Sequence, residues 1–303
     1  MRKRIAFFGA SLVQQQNGYW KYFSGKNPSL KVHPFGYGAR HLNDAGVCYI
    51  DEVIDFEPDY CIVDWFTTGY VKYNEDKLDE IKTYINTILH RFYEKRIPLL
   101  FLILPDQTCD KKDVYRKLND YLDSLGVPTL NLSEKYNSLG EILRDGIHTT
   151  EYGSDVYAND IGQYFFENVF EKNRIPEHYP EKNKFCEIKR LKLDRIVYNE
   201  LVFKGNCEVV GISQLVGPYT GILDIDGKKV NYWDRWCYYE REMVNMAFPV
   251  NGICTIKILE DDFDRSACQK NNEGGGTDWN IKKCLKLFTI FFTGTNLEVE
   301  TPM

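Results

Sequence analysis

Short apolar runs alternate with amphipathic segments over residues 1–175, and this alternation limits the chain to few folds. The runs have the length and the aliphatic and aromatic content of buried strands. The predicted strands are Arg4–Phe8, Leu30–Pro34, Tyr60–Trp65, Pro98–Leu104 and Pro128–Leu132. Strands joined by helices form a mostly parallel sheet that helices cover on both faces. The sequence therefore predicts a three-layer α/β domain at residues 1–175.

The segments between the later strands have the periodicity of amphipathic helices. In Glu75–Glu94 the apolar residues recur three and four positions apart, which places them on one face of a helix. Asp113–Leu125 repeats this pattern, and Tyr152–Phe170 is the third predicted helix. The order of strands and helices is that of an open α/β sheet.

A second domain is predicted after a short linker. Residues 176–184 carry two prolines and several charges with little apolar content, which is typical of a linker. Over residues 185–303 the apolar period changes to two, and Asp226-Gly227 and Asn251-Gly252 are predicted hairpin turns. Leu285–Phe292 is a final apolar strand. Several short strands separated by turn signals predict a β-sandwich or jelly roll.

Charge and composition exclude several classes of partner. The 303-residue chain has a net charge of −6 with scattered Lys and Arg, whereas nucleic-acid binding needs a clustered basic face. No stretch approaches the roughly 18 apolar residues of a membrane span, and the apolar run near the N-terminus is too short for a secretory signal. The nine cysteines are spread singly, which is typical of free thiols. We therefore expect a cytoplasmic protein without a nucleic-acid partner or a membrane span, of open oligomeric state.

Residues suited to nucleophilic catalysis follow the first, second and fifth predicted strands. Ser11 comes after the first strand, Gly38 after the second, and Asp145 and His148 after the fifth. The carboxyl ends of parallel strands share one edge of a sheet, which is where open α/β folds place their sites. A histidine can take the proton of a serine hydroxyl, and an aspartate can hold the imidazole in place. Backbone amides near a glycine can bind the resulting oxyanion.

These motifs resemble those of the SGNH or GDSL-type hydrolases, esterases and acyltransferases with a flavodoxin-like domain. Gly9-Ala10-Ser11-Leu12 stands where the family has Gly-Asp-Ser-Leu, and Asp145-Gly146-Ile147-His148 fits its Asp-x-x-His block. The resemblance covers residues 4 to about 170 and none of the second domain. It implies that Ser11 is the nucleophile, His148 the base and Asp145 its orienting partner. The amides of Ser11 and Gly38 would form the oxyanion hole.

The sequence departs from this family at two positions. The family carries Gly-x-Asn-Asp after the third strand, and its Asn donates to the oxyanion; here Thr68 stands in the Asn position. A threonine hydroxyl can donate one hydrogen bond, but loss of a good oxyanion donor costs about 3 kcal/mol in barrier height. Ala10 replaces the Asp that is structural in the family. The departure at Thr68 leaves a catalytically impaired, carbohydrate-binding relative as the alternative.

Aromatic and polar residues near the predicted sites are candidates for substrate binding. They are His41, Trp65, Trp233 and Trp236. The two later tryptophans lie in NYWDRWCYYERE, where aromatic rings alternate with charged side chains, a composition that holds sugar rings. For every tryptophan the alternative is packing in a core, since alternate residues of a strand face opposite sides.

The predicted function is a serine esterase or O-acyltransferase that acts on acyl groups of carbohydrate, with O-acetyl groups expected. The mechanism calls for no metal and no cofactor, although a transferase would use an acyl donor such as acetyl-CoA. The substrate would be a small-molecule or polysaccharide ester. A phospholipid or thioester hydrolase ranks lower, since the sequence contains no amphipathic membrane-docking helix.

Overall fold

The computed structural model describes residues 2–66, 77–107, 112–136, 138–173, 175–176, 186–233, 238–260, 268 and 280–302. The chain divides into two compact units, Met1–Cys186 and Glu187–Met303. Most of the predicted linker, residues 177–184, lies outside the described residues. No helix in the described part of the chain has both the length and the apolar character needed to cross a bilayer.

Unit 1 is built on a five-stranded parallel sheet. Its strands are β1 (Arg4–Gly9), β2 (Lys31–Gly36), β3 (Tyr60–Asp64), β4 (Leu99–Ile103) and β5 (Thr129–Asn131). The strand order is β2-β1-β3-β4-β5, and every neighbouring pair is parallel. This order is the flavodoxin-like one, in which the chain changes direction across the sheet between β1 and β3. The predicted fold class of the first domain is confirmed.

Six α-helices are described in unit 1. They are α1 (Ser11–Gln14), α2 (Tyr19–Lys26), α3 (Ile50–Asp55), α4 (Leu78–Glu94), α5 (Lys112–Ser124) and α6 (Glu151–Phe165). The last three are the helices predicted from periodicity, although α6 continues as a π-helical turn, Phe166–Phe170. A second π-helical turn, Leu42–Gly46, precedes α3. The three short helices have too few turns to show a period in the sequence.

Adjacent residues of β1 build the cores on the two faces of the sheet. Phe7 packs edge-on against Phe23 of α2, with the ring centroids 5.2 Å apart. Phe8 points to the opposite face, where its centroid lies 5.2 Å from that of Trp65 and 6.4 Å from that of Phe92 of α4. All five rings are fully buried. Burial of each such side chain stabilises the fold by roughly 1.5–3 kcal/mol, so β1 holds both helix layers on the sheet.

Unit 2 is an antiparallel β-sandwich. Its strands are β6 (Lys189–Lys192), β7 (Val197–Tyr198), β8 (Glu200–Val216), β9 (Ile222–Ile225), β10 (Lys228–Asn231), β11 (Arg241–Asn245), β12 (Phe248–Ile258) and β13 (Leu285–Glu300). The strand order is β10-β9-β12-β8-β13-β6, with β11 beside β8 and β7 beside β13. The pairing of β8 with β13 contains three register shifts, which bend these long strands. The bent strands enclose one apolar core, as predicted.

One of the two predicted hairpin turns is confirmed and the other is wrong. Asp226 and Gly227, with φ of 50° and 81°, join β9 to β10 in a tight turn. Asn251 and Gly252 lie instead within β12, where Gly252 is opposite Gly205 of β8. Both of these glycines have positive φ, 87° for Gly252 and 154° for Gly205. Glycine can adopt positive φ, which is why a turn was predicted here. In the structure the two glycines use this freedom to bend the pair of strands β8 and β12.

Candidate active site

The turn after β1 presents Ser11 at the carboxyl edge of the sheet. A Cβ at Gly9 would lie 2.2 Å from the carbonyl oxygen of Asp64, so only glycine allows β1 and β3 to approach this closely. The next residue, Ala10, donates its N–H to the same carbonyl at 3.3 Å, and Tyr37 donates to the carbonyl of Gly9 at 2.9 Å. These contacts fix the turn from both sides, so Ser11 begins α1 between the ends of the two neighbouring strands.

A buried carboxylate lies behind this turn. Asp64, at the end of β3, is 2% exposed and accepts a hydrogen bond of 2.7 Å from the hydroxyl of Tyr19. Burial raises the pKa of Tyr19 well above its ordinary value, and the charge of Asp64 raises it further. The phenol therefore stays protonated and keeps its donor role, which ties α2 to the strand that supports the turn bearing Ser11.

The loop that carries His148 is organised by Asp145. The Oδ1 atom of this carboxylate accepts from the backbone N–H groups of Ile147 and His148, at 3.3 and 2.8 Å. Gly146, with a φ of 86°, makes the tight turn between Asp145 and Ile147. The carbonyl of Gly146 accepts a hydrogen bond of 2.8 Å from the N–H of Gln107. The four residues from Asp145 to His148 thus form a turn closed by hydrogen bonds, which brings the carboxylate beside the imidazole.

The segments that carry Ser11 and His148 are 137 positions apart in the sequence and meet in the structure. The Nε2 atom of His148 lies 2.9 Å from the Oγ atom of Ser11. The Nδ1 atom of His148 lies 2.9 Å from Oδ2 and 3.1 Å from Oδ1 of Asp145. An ionised carboxylate only accepts hydrogen bonds, so Nδ1 carries a proton and Nε2 is left to accept from the serine hydroxyl. This is the geometry of a Ser-His-Asp triad.

Asp145 is held in its charged form. Partial burial pushes the pKa of this carboxyl upwards, but hydrogen bonds from the backbone and the ring of His148 outweigh it and hold the pKa below the ordinary value. The side chain of Asp145 is 48% exposed and that of His148 is 27% exposed. The pair is therefore open to solvent, and a substrate can reach it.

Two backbone amides are available where the oxyanion hole was predicted. The N–H of Ser11 is at the start of α1 and has no acceptor within the helix. Gly38 lies in the loop after β2, where a Cβ would collide with the side chain of Gln14, so this side chain packs directly on the glycine. Among the described residues neither N–H donates a hydrogen bond. The oxyanion-hole role of both amides stays a prediction, and Thr68 lies outside the described residues.

The predicted substrate-binding residues have different outcomes. Trp65 is fully buried against Phe8, so its predicted substrate contact is wrong; the ring fills the core below the sheet edge. His41 is half-buried immediately before the π-helical turn Leu42–Gly46. Trp233 is half-buried after β10 in unit 2, and Trp236 lies outside the described residues. Substrate contact by His41, Trp233 or Trp236 stays a prediction.

Sequence reasoning missed a link between the segment that carries Ser11 and the segment that carries His148. The side-chain amide of Gln15 donates a hydrogen bond of 3.1 Å to the carbonyl of Thr149, the residue after His148. Gln15 is one helical turn beyond Ser11, so this bond holds the end of α1 to the histidine loop. In the sequence, Gln15 is the middle of three consecutive glutamines, and no pattern distinguishes it from its neighbours.

The described residues contain no group of three or more His, Cys, Asp or Glu side chains placed to hold a metal ion. The groups that the triad geometry brings together are Ser11, His148 and Asp145, and their chemistry is proton transfer and nucleophilic attack.

A parallel 2-1-3-4-5 sheet with a serine after β1 and an Asp-x-x-His loop after β5 is the arrangement of the SGNH-type hydrolase fold, and the fold similarity to a solved two-domain esterase supports it. Over both units, the chain is similar to a two-domain esterase, CEX, active on acetylated mannans and co-crystallised with mannopentaose. That match has a TM-score of 0.60 and 12% sequence identity, and it covers 96% of this chain and 92% of the esterase.

Other solved proteins match about half of this chain over nearly their whole length. Est24, a carbohydrate acetylesterase from Sinorhizobium meliloti, matches with a TM-score of 0.46 and 13% identity over 55% of this chain and 99% of its own. A lipolytic G-D-S-L family member from Veillonella parvula matches with a TM-score of 0.45 and 11% identity over 56% and 99%. No protein-family model and no curated protein sequence matches this chain.

Proposed function

We propose that this protein is a serine esterase that removes O-acetyl groups from carbohydrate. The observation that carries the proposal is the distance of 2.9 Å between His148 Nε2 and Ser11 Oγ, with Asp145 on the other ring nitrogen. A serine hydroxyl is a weak nucleophile until a base removes its proton, and this contact supplies the base.

The reaction follows from this geometry. Nε2 of His148 takes the Ser11 hydroxyl proton as Oγ attacks the ester carbonyl carbon, and the amides of Ser11 and Gly38 bind the resulting oxyanion. The tetrahedral intermediate collapses, the bond from carbon to the sugar oxygen breaks, and His148 donates its proton to that oxygen. An acetyl group now esterifies Ser11. Water, deprotonated by His148, attacks this ester, and acetate leaves as Ser11 regains its proton.

Carbohydrate as the substrate class is supported by the fold similarity to an esterase that acts on acetylated mannans, since that similarity spans both units. A second unit that accompanies the hydrolase fold in both chains fits a polymeric substrate better than a small free ester. We therefore choose acetylated manno-oligosaccharides as the test substrates.

The experiment that tests this proposal combines covalent labelling with turnover. A fluorophosphonate probe is added to the wild type, to Ser11→Ala and to Ser29→Ala, which changes an exposed serine after α2. Mass spectrometry should place one adduct on Ser11 in the wild type and in Ser29→Ala and detect none in Ser11→Ala. Acetate release from acetylated manno-oligosaccharides should follow the same pattern. An unlabelled wild type that binds the sugars without releasing acetate would instead support the impaired, carbohydrate-binding alternative.

Hydrolysis and transfer differ in the molecule that accepts the acetyl group from Ser11, which is water in the first and a sugar hydroxyl in the second. If the acyl-enzyme is resolved by a sugar hydroxyl, acetyl-CoA and an unacetylated manno-oligosaccharide will yield an acetylated sugar and free coenzyme. We expect hydrolysis, because the histidine and aspartate of the triad are open to water. Net transfer to sugar faster than acetate release would reassign the protein as an acyltransferase.

Gln15 provides a prediction about positioning. In Gln15→Glu a carboxylate oxygen replaces the amide donor and faces the carbonyl of Thr149, which turns an attraction into a repulsion. We expect kcat to fall about tenfold, equivalent to about 1.4 kcal/mol of barrier, with KM unchanged, since Gln15 does not touch the reacting atoms. Steady-state kinetics on acetylated manno-oligosaccharides checks this.

The matched control is Gln16→Glu, which adds the same charge at an exposed neighbouring residue. Its kcat should remain within twofold of the wild type. If both variants lose activity equally, the effect is one of charge, and the proposed link between the catalytic segments has no role in catalysis.

A further inference from the structure

A solvent-facing groove of about 470 Å³ lies between α2 and the first turn of α6. Tyr22 and Gly25 of α2 line one side, and Glu151 and Asp155 of α6 line the other. The two helices are packed together by Phe23 and Phe165, whose ring centroids are 5.9 Å apart. We call it the α2–α6 groove; the triad uses none of its residues.

The groove begins where the two catalytic segments end. Gln15 and Thr149 are joined by a hydrogen bond, and two residues further along both segments Asn17 donates to Glu151 at 3.2 Å. Two residues span at most about 7 Å of chain. The Asn17–Glu151 bond at the mouth of the groove is thus the next contact between the two segments that bring Ser11 and His148 together. A chain-like substrate bound at Ser11 can therefore extend into the groove.

The polar side chains of the groove balance in charge. Lys21 donates to Asn17 at 2.8 Å at the mouth, and Lys26 pairs with Asp155 at 2.7 Å further along. Together with Glu151, the lining includes two ammonium and two carboxylate groups. A phosphate-bearing ligand would need an excess of positive charge, and a basic peptide would need an excess of negative charge. Donors and acceptors in equal measure fit a neutral ligand with many hydroxyl groups.

The groove also contains aromatic and open surface. The aromatic residue of the lining is Tyr22, which is half-buried with its ring packed on the core. Tyr152 is not part of the lining; it follows the lining residue Glu151 in the chain and is 59% exposed. Tyr152 is three residues before Asp155, so these side chains are neighbours on one face of α6. At Gly25 a Cβ would meet no atom within 4 Å, so the surface of α2 is open at this residue. Aromatic faces beside charged planar groups hold sugar rings through their C–H faces and hydroxyls.

We propose that the α2–α6 groove is a subsite for neutral sugar residues of the carbohydrate chain that bears the scissile ester. This inference rests on the proposed esterase function and adds a determinant of chain-length preference. The wild type prefers longer acetylated oligosaccharides because each additional sugar residue that enters the groove adds binding energy, which a small ester such as p-nitrophenyl acetate lacks.

The test places a large side chain in the groove at Gly25. In Gly25→Trp the indole occupies the open space above α2, and Ser29→Trp places the same side chain at an exposed position outside the groove. The quantity measured is kcat/KM for acetylated mannopentaose divided by kcat/KM for p-nitrophenyl acetate. We expect this ratio to fall at least tenfold in Gly25→Trp and to stay within twofold in Ser29→Trp. An unchanged ratio in Gly25→Trp would overturn the proposal.

A binding measurement separates failure of the subsite from failure of the esterase. Titration calorimetry with unacetylated mannopentaose is carried out on the full chain with Ser11→Ala, and again with Ser11→Ala and Gly25→Trp together. The proposal requires at least a tenfold weaker Kd in the double variant. Equal Kd values reject the subsite even if the wild type is an active esterase. A wild type that hydrolyses no acetylated sugar, yet shows this tenfold difference, rejects the esterase and keeps the subsite.

Discussion

Replacing His148 with alanine is expected to lower kcat by about 10⁴- to 10⁶-fold, as the loss of a triad base does in serine hydrolases. The reason is the 2.9 Å contact between its Nε2 atom and Ser11 Oγ, which provides the path for the serine proton. The side chain of His148 is 27% exposed and fills no core, so the variant should unfold at the wild-type temperature. Kinetics with acetylated manno-oligosaccharides and thermal unfolding by circular dichroism check the two expectations.

Two further variants test whether the triad acts as a unit. Ser11→Ala combined with His148→Ala should be no slower than either single variant, because the same step is lost in all three. His33→Ala removes an exposed imidazole from the edge strand β2 and should keep kcat within twofold. Losses that multiply in the double variant would show that Ser11 and His148 act independently, contrary to the proposed mechanism.

The pairing of Ser11 with His148 could be predicted because it depends on chain order and on one general property of parallel sheets. Each residue follows a strand, and the carboxyl ends of those strands share an edge. The Asp-x-x-His spacing is also a local signal, since Asp145 reaches both the backbone and the ring of His148 within one turn. Predictions of this kind need the strands in the correct order but no detail of side-chain packing.

Trp65 and Gln15 could not be predicted because their environments are set by distant residues. Trp65 ends up in the core since Phe8 and Tyr37, from two other strand ends, pack against it. Gln15 finds its acceptor at Thr149, 134 positions away. The Asn251-Gly252 dipeptide shows a related limit: Gly252 does adopt a positive φ, but its pairing with Gly205 of β8 decides between a turn and a bend.

Gly9→Ala should impair both the stability of unit 1 and its activity. The added Cβ would lie 2.2 Å from the carbonyl oxygen of Asp64 and 2.8 Å from Cγ2 of Val13, so β3 and α1 must both shift. Overpacking of this kind typically costs about 1–3 kcal/mol. The shift also displaces Ser11 from His148, and a misplacement of about 1 Å can cost about 100-fold in rate. Urea unfolding and steady-state kinetics measure the two effects.

Gly162→Ala is the matched control for this substitution. Gly162 lies within α6, and the nearest atoms to its added Cβ are those of the Phe23 ring at 3.9 Å, which is an ordinary contact. Alanine favours a helix over glycine by about 1 kcal/mol, so this variant should be at least as stable as the wild type and equally active. If Gly9→Ala matched it in both respects, the β1 and β3 backbones would have room to separate at the nucleophile turn. The close approach to Asp64 would then not be what positions Ser11, and the position of the nucleophile would depend on α1 and the histidine loop alone.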